Sequence, residues 1–375
     1  MTSSRCRFTS RVALGAASVL LGAGAARAAD PGLSLYGVVD AGLSTTRASG
    51  AAASLRPLSG GLTDSLWGLS GSEALADGWR AEFGLEIGFD AATGRAEETG
   101  RLFDYGAWTG LSHARVGSLR LGRQQTIAME YASALEVASW RDMGLGALFK
   151  AADNYRRDRL LNLHTPAVGG WQAGVGYAFD TRRTDGAAAD ASSPGRRGHA
   201  LSAGLKYETD AWLAVLTWDR LDGAGPAARA LDGHAPTAWQ AGLSYKQEGL
   251  RLSMAWSRQR NGYVGQNAGG LDGLGPAPFL RGGAVDTWLL GAELGVGRSG
   301  ALLLQWSLAT PDWRWADGGR AGATHLYTLG YRFDLSPRTS LYAYAGRLSG
   351  GTLDEPIAQD AGRTARLGLG IAQRF

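Results

Sequence analysis

Charge is sparse in this sequence and falls in suggestive places. Glu130, Glu136 and Asp142 lie on one segment, 125–151, which is too long for a turn. Arg80, Arg120, Arg156 and Arg157 lie in or beside segments that alternate in polarity. If the acids and the arginines faced each other across a confined aqueous space, the field between them would orient ions and polar solutes. The other reading is that these are ordinary solvated charges. Sites for covalent or metal chemistry are harder to find. Gly295-Val296-Gly297-Arg298-Ser299-Gly300 has the GxGxxG spacing. A dinucleotide site needs a helix after that motif, but Ala301-Leu302-Leu303-Leu304-Gln305-Trp306 follows and reads as another strand. The five histidines (113, 164, 199, 234 and 325) show no metal-ligand spacing. No GxSxG elbow is present. Neither a catalytic group nor a cofactor is expected.

The elements that must position these charges are strands. Trp79-Arg80-Ala81-Glu82-Phe83-Gly84-Leu85-Glu86-Ile87-Gly88-Phe89-Asp90 places Trp, Ala, Phe, Leu, Ile and Phe on one face. Arg, Glu, Gly and Asp fall on the other, because successive strand side chains point to opposite sides. Trp171 to Asp180, Trp239 to Lys246 and the C-terminal segment repeat the pattern. The spacing predicts sixteen strands: 33–43, 62–72, 79–90, 101–113, 116–124, 152–164, 171–181, 199–208, 211–220, 237–247, 250–260, 284–296, 301–310, 323–334, 339–349 and 362–375. The faces of 339–349 cannot be assigned from its alternation. These runs exceed the usual length of soluble strands. Their connections alternate between tight turns (Thr209-Asp210, Gln247-Glu248-Gly249, Gly297 to Gly300, Ser336-Pro337-Arg338) and longer segments such as 182–198, 221–236 and 261–283. Trp79, Trp171, Trp212, Trp239 and Trp288 fall near strand ends, where interface girdles lie.

These features predict a transmembrane antiparallel β-barrel with short periplasmic turns and long external loops. In hydrocarbon a sheet must close on itself to satisfy its backbone. Sixteen strands enclose more room than side chains fill, so an aqueous lumen is expected. Inward glycines (Gly84, Gly88, Gly174, Gly176, Gly368, Gly370) either keep that lumen open or let backbone pack closely. The segment 125–151 includes a helical pattern over Ile127 to Val137. Folded into the lumen, it would narrow the pore and set Glu130, Glu136 and Asp142 against inward arginines of the opposite wall, Arg80, Arg120 and either Arg156 or Arg157. Trp108, Tyr105 and the Trp313-Arg314-Trp315 run offer a different possibility, stacking platforms for one bound solute; girdle or loop roles are the simpler reading.

Residues 1–29 read as a secretory signal peptide. Arg5, Arg7 and Arg11 precede an uncharged run from Val12 to Ala26, and Ala26-Arg27-Ala28-Ala29 supplies a cleavage site after Ala28 or Ala29. The run is too short to span a bilayer. The expected domains are therefore the signal, 1–29, and one barrel, 30–375. The signal takes four of the 38 basic residues and no acid, so 34 basic face 34 acidic residues in the remainder. The precursor pI of about 9.3 thus gives no reason to expect a nucleic-acid partner. The single cysteine, Cys6, also lies in the signal.

Several motifs resemble the trimeric general porins of Gram-negative β-proteobacteria, across nearly the whole expected mature chain. They are Leu35-Tyr36-Gly37-Val38-Val39-Asp40-Ala41-Gly42, Trp67-Gly68-Leu69-Ser70-Gly71-Ser72-Glu73, Gly100-Arg101-Leu102-Phe103, Gly117-Ser118-Leu119-Arg120-Leu121-Gly122-Arg123-Gln124 and Arg374-Phe375. The resemblance implies an outer-membrane homotrimer, a third loop inside the lumen, and passive diffusion of ions and small hydrophilic solutes, favouring anions. It also implies that the terminal Phe375 is read by the barrel-insertion machinery. Three positions depart from the family pattern: Leu66, Tyr105 and Asn162 stand where it usually carries basic residues. A solute-specific channel with a lumenal binding site is the alternative.

Overall fold

The computed structural model describes residues 32–152, 156–179, 198–223, 231, 233–264, 274–351, 357–359 and 362–375. The expected signal lies outside them. The described strands are β1 (Gly32–Ala48), β2 (Ser54–Ser59), β3 (Leu66–Ala74), β4 (Trp79–Gly88), β5 (Gly106–His113), β6 (Gly117–Gln125), β7 (Arg156–His164), β8 (Trp171–Ala178), β9 (His199–Glu208), β10 (Trp212–Asp222), β11 (Thr237–Gln247), β12 (Leu250–Arg260), β13 (Ala284–Val296), β14 (Gly300–Pro311), β15 (Thr324–Ser336), β16 (Thr339–Ser349) and β17 (Arg363–Arg374). All belong to one antiparallel sheet, and β1 pairs with β17 to close it. Both β2 and β3 pair with β1, so they are two halves of one barrel strand and the barrel has sixteen. Closure leaves no unpaired edge, which is what lets a sheet exist in hydrocarbon.

The burial pattern is inverted relative to a soluble protein. Leu369 is 58% exposed and Leu163 52%, whereas Gln240 is 1% and Ser307 0% exposed. The apolar face of each alternating strand points out and the polar face points in. Aromatic pairs mark two belts on the outer surface. Trp171 with Tyr207 and Trp212 with Tyr245 lie at the short-turn end; Trp218 with Trp239 and Trp256 with Trp288 lie toward the loops. No helix among the described residues is long and apolar enough to cross a membrane; the strands do the crossing.

Among the boundaries that differ from expectation, β1 runs on to Ala48 rather than ending at 43, and two others have a visible cause. The second barrel strand, expected over 62–72, is broken between Ser59 and Leu66. Asp40, fully buried, holds the break inside the barrel. Its carboxylate accepts from the backbone N–H of Gly61, Leu62 and Thr63 at 3.1, 2.8 and 3.0 Å, and from the Tyr342 hydroxyl at 2.6 Å. The fourth strand starts at Gly106 rather than 101. Just before it, Asp104 accepts from Gly88 N at 2.8 Å, and Arg101 pairs with Glu98 and Asp158. β16 now has faces: Ser340, Tyr342, Tyr344, Gly346 and Leu348 are buried inward, and Leu341 is exposed outward.

The third loop, between β6 and β7, turns into the barrel. Thr126 caps its helix α1 (Ile127–Ala132) by accepting from Met129 N. The loop's apolar side chains enter slots left by inward glycines. Ile127 and Tyr131 sit on Gly174 and Gly204, Leu135 on Gly242, Val137 on Gly291, Trp140 on Gly330 and Met143 on Gly346. A Cβ at any of these glycines would collide with the loop. The same use of space explains the glycines singled out in sequence: Gly84 seats Trp108, Gly88 seats Tyr105, and Gly368 and Gly370 seat Tyr344 and Tyr342. They serve close packing rather than an open lumen. Fully burying each large loop side chain contributes roughly 1.5–3 kcal/mol.

Candidate functional site

The third loop covers the inner wall from β8 to β16. Its polar edge faces the wall built by β1 to β7. A cavity of about 350 Å³ opens beside the loop tip, lined by Thr63, Asp64, Glu97, Glu136, Arg141 and Asp142 among others. A second space of about 780 Å³, lined by Glu208, Lys246, Arg251 and Glu293, lies toward the short turns; Arg332 borders both.

The structure brings together only part of the expected set. Arg120 points inward with its guanidinium carbon 4.6 Å from the Trp108 ring centroid. Across from it, Glu130 Oε2 lies 3.1 Å from His164 Nε2. Burial alone would raise the Glu130 pKa, but the His164 contact and the charges of Arg120 and Lys206 outweigh it and hold this carboxyl below its ordinary range. Arg156 is buried, 3.9 Å over the Tyr105 ring. The other four expected residues are placed differently. Arg80 faces inward at the short-turn mouth, donating to Ser72 Oγ at 2.7 Å. Arg157 turns toward the sixth loop and donates to Val264 O at 3.2 Å. Glu136 Oε1 accepts from Leu145 N at 2.7 Å and so shapes the loop. Asp142 is exposed at the tip, beside Arg141.

Sequence reasoning missed the tip cluster. Arg141 Nη1 lies 3.5 Å from Glu97 Oε1. Tyr105 Oη lies 2.9 Å from Asp64 Oδ2 and 2.8 Å from Glu97 Oε2. A phenol has one proton to give, so it serves one carboxylate at a time. Burial, then the neighbouring Asp64 charge, push Glu97 above the usual carboxyl range, with the Tyr105 hydrogen bond and Arg141 working against this. Burial disfavours the charged form of Arg141, yet Asp142, Glu97 and Asp64 more than offset it. Of this cluster only Tyr105 was singled out in the sequence; nearby Glu86, an inward position of the alternating β4, accepts from Tyr36 through Oε1 at 3.2 Å. The three departures from the family pattern all face the interior. Leu66 pairs with Val38, Tyr105 is 5% exposed, and Asn162, 1% exposed, donates to Gln125 O. Trp313 stacks on Phe279 at 5.0 Å and meets Trp315 edge-on, so this run packs a loop. Among the described residues no cluster of His, Cys, Asp and Glu has the makings of a metal site.

A closed transmembrane barrel with a loop folded into a polar lumen defines a channel-forming outer-membrane protein. The comparisons agree: a family model described as Gram-negative porin matches residues 13–352, and the chain belongs to that family. It is 28% identical over 390 residues to an outer membrane porin protein of Bordetella pertussis, covering 96% of this chain and 98% of the relative. It is 29% identical over 340 residues to outer membrane porin protein 32 of Delftia acidovorans, covering 87% and 86%. Its fold is similar to the anion-selective porin from Comamonas acidovorans, with a TM-score of 0.66, 23% identity, and 92% and 100% coverage. Salmonella typhi OmpF is also similar, with a TM-score of 0.64, 14% identity, and 92% and 97% coverage. The chain is thus an outer-membrane diffusion channel, and family membership makes it a channel rather than an enzyme.

Proposed function

We propose that the third loop forms the constriction and sets a weak charge selectivity for ions and small hydrophilic solutes diffusing passively through the barrel. The observation that carries this is the two-sidedness of the loop: its apolar edge is seated on glycines of the far wall, and its charged edge borders the remaining lane. Within that lane Asp64, Glu86, Glu97, Glu130 and Asp142 stand against Arg120, Arg141 and Arg156. Arg332 and Arg374 also border the tip cavity, but around Arg141 at the loop tip itself the three acids Asp64, Glu97 and Asp142 are in excess, so the preference leans weakly toward cations, unlike the anion-selective neighbour. Arg80 acts on ions at the periplasmic mouth, and Arg157 and Glu136 act indirectly, by holding the loops. The test is single-channel conductance of refolded barrel in a planar bilayer, with reversal potential under a salt gradient. Open, ohmic steps with a small cation-favouring potential are expected. A folded barrel without conductance would end the channel reading, and an anion-favouring potential would end the charge assignment.

In the same reading, residues 1–29 direct export, three barrels form a homotrimer, and Phe375 is read by the insertion machinery. Support for the trimer comes from one similar outer membrane protein of Vibrio cholerae, which is described in a trimer form. The Phe375 backbone pairs with Gly37 and its ring packs on Gly37, which puts it at the closing seam. A second reading rests on the two stacked pairs, Arg120 on Trp108 and Arg156 on Tyr105. They suit a planar anionic solute bound in the lumen. Saturable block by such a solute would favour it; conductance unaffected by aromatic carboxylates would exclude it.

A further inference from the structure

One large concavity lies outside the lumen. It has a volume of about 1070 Å³ and spans the outer face from β11 through β17 to β1. Its axis follows one row of cross-strand partners. Leu243 pairs with Met254, Met254 with Leu290, Leu290 with Trp306, and Trp306 with Tyr327. Tyr327 then pairs with Arg347, Arg347 with Ala365, and Ala365 with Arg47. Ala292, Ala345 and Ala365 leave the floor low between larger side chains.

The two ends of the row differ. Arg47 is the penultimate residue of β1, at the loop end, and Leu243 is in the middle of β11. Strands in such barrels are tilted, so a row perpendicular to them descends through the bilayer. The cationic end therefore sits at the external boundary and the apolar end in hydrocarbon. Arg47 and Arg347 are two strands apart with only Ala365 between them. At about 4.8 Å per strand their backbones are roughly 10 Å apart, room for one anionic group between two guanidiniums. Both arginines are exposed on the membrane face, and neither has a carboxylate within ion-pair distance among the described residues.

We propose that this groove binds one acylated lipid of the outer leaflet whose headgroup carries phosphate. Arg47 and Arg347 would hold the phosphate, and an acyl chain would run down the groove over Ala345 toward Leu243. Charge complementarity selects this occupant over a second barrel. The loop-side acids near the outer surface, Asp158, Asp222 and Asp286, are already paired with arginines of their own chain. A second copy thus has no free carboxylate among them to offer, whereas a phosphorylated lipid brings its own anions.

The test is native mass spectrometry of the refolded full chain in detergent, titrated with diphosphoryl lipid A and, separately, with phosphatidylethanolamine. Wild type should retain the diphosphoryl lipid in preference. Arg47→Gln with Arg347→Gln should weaken retention roughly thirtyfold, about fivefold per arginine. Ala345→Leu should weaken it with both arginines intact, and both variants should keep the wild-type conductance and melting temperature. Equal retention by the double variant, or equal retention of both lipids by wild type, would overturn the proposal. So would cross-linking between copies through Ala345→Cys, which would give the groove to a second barrel.

Discussion

Replacing Trp140 by alanine should free the tip of the third loop and leave the barrel folded. The indole is fully buried, stacked on Tyr344 at 5.0 Å with a 21° interplanar angle, and lies on Gly330. Truncating a buried tryptophan costs about 3–5 kcal/mol. Borne by the tip alone, that raises its undocked population roughly a hundredfold to a thousandfold or more. The cost stays local because Trp140 belongs to no strand ladder, and the tip's other ties are few. They include the Ser139 hydroxyl donated to Leu62 O at 3.0 Å, the Arg141 pair with Glu97, the Arg366 guanidinium donated to Arg141 O, and Met143 on Gly346. Gly330→Val offers an independent route to the same state, since its added carbons take the space of the indole. Single-channel recording of both variants should show larger mean conductance and more open-state noise. Liposome swelling should show faster entry of larger neutral sugars, while the melting temperature changes little. If both variants keep wild-type conductance, noise and sugar exclusion, the loop tip does not limit the pore and the constriction reading fails.

Three further predictions follow from the lane and the seam. Glu97 is raised by burial and Asp64 whereas Glu130 is lowered by its contacts with His164 and Arg120, so in the window just above the ordinary carboxyl range acidification should discharge Glu97 before Glu130. The reversal potential should lose its cation lean over that window, Glu97→Gln should reproduce the loss at pH 7, and Arg141→Gln should strengthen the lean. The linkage signs oppose each other. Glu97, raised in the fold, contributes stability below its unfolded pKa and loses it as pH rises, whereas the contribution of Glu130 is present above its unfolded pKa and is lost only as pH falls through its lowered value. Asp40→Ala should strand the three N–H groups and the Tyr342 hydroxyl it now accepts, at about 1–3 kcal/mol for each buried donor, and lower the unfolding temperature on heat-shift gels more than Tyr342→Phe does. Deleting Phe375 should reduce barrel assembly in cells while refolding into detergent persists, as measured by the folded fraction in each setting.

The barrel is legible in the residues themselves. Period-two alternation follows from backbone geometry, and each strand carries it locally, so 199–208, 237–247, 250–260, 284–296 and 339–349 coincide with observed strands. Turn chemistry is equally local, which is why the short connections were legible, whereas the third loop was marked by its length and by the family resemblance. The remaining features depend on which distant segments closure brings together. Asp40 breaks the second strand through partners about twenty residues away and a tyrosine 302 residues away. Glu97 meets Arg141 only because the loop is seated in glycine slots on β8 to β16, and no spacing in sequence encodes that reach. The faces of β16 were illegible because its inward tyrosines, Tyr342 and Tyr344, are as apolar as an outward pair would be. Their buried hydroxyl ends and the docked Trp140 become visible only once the lumen is filled. Alternation fixes the side of the wall on which a residue lies; closure and loop docking fix what it meets there.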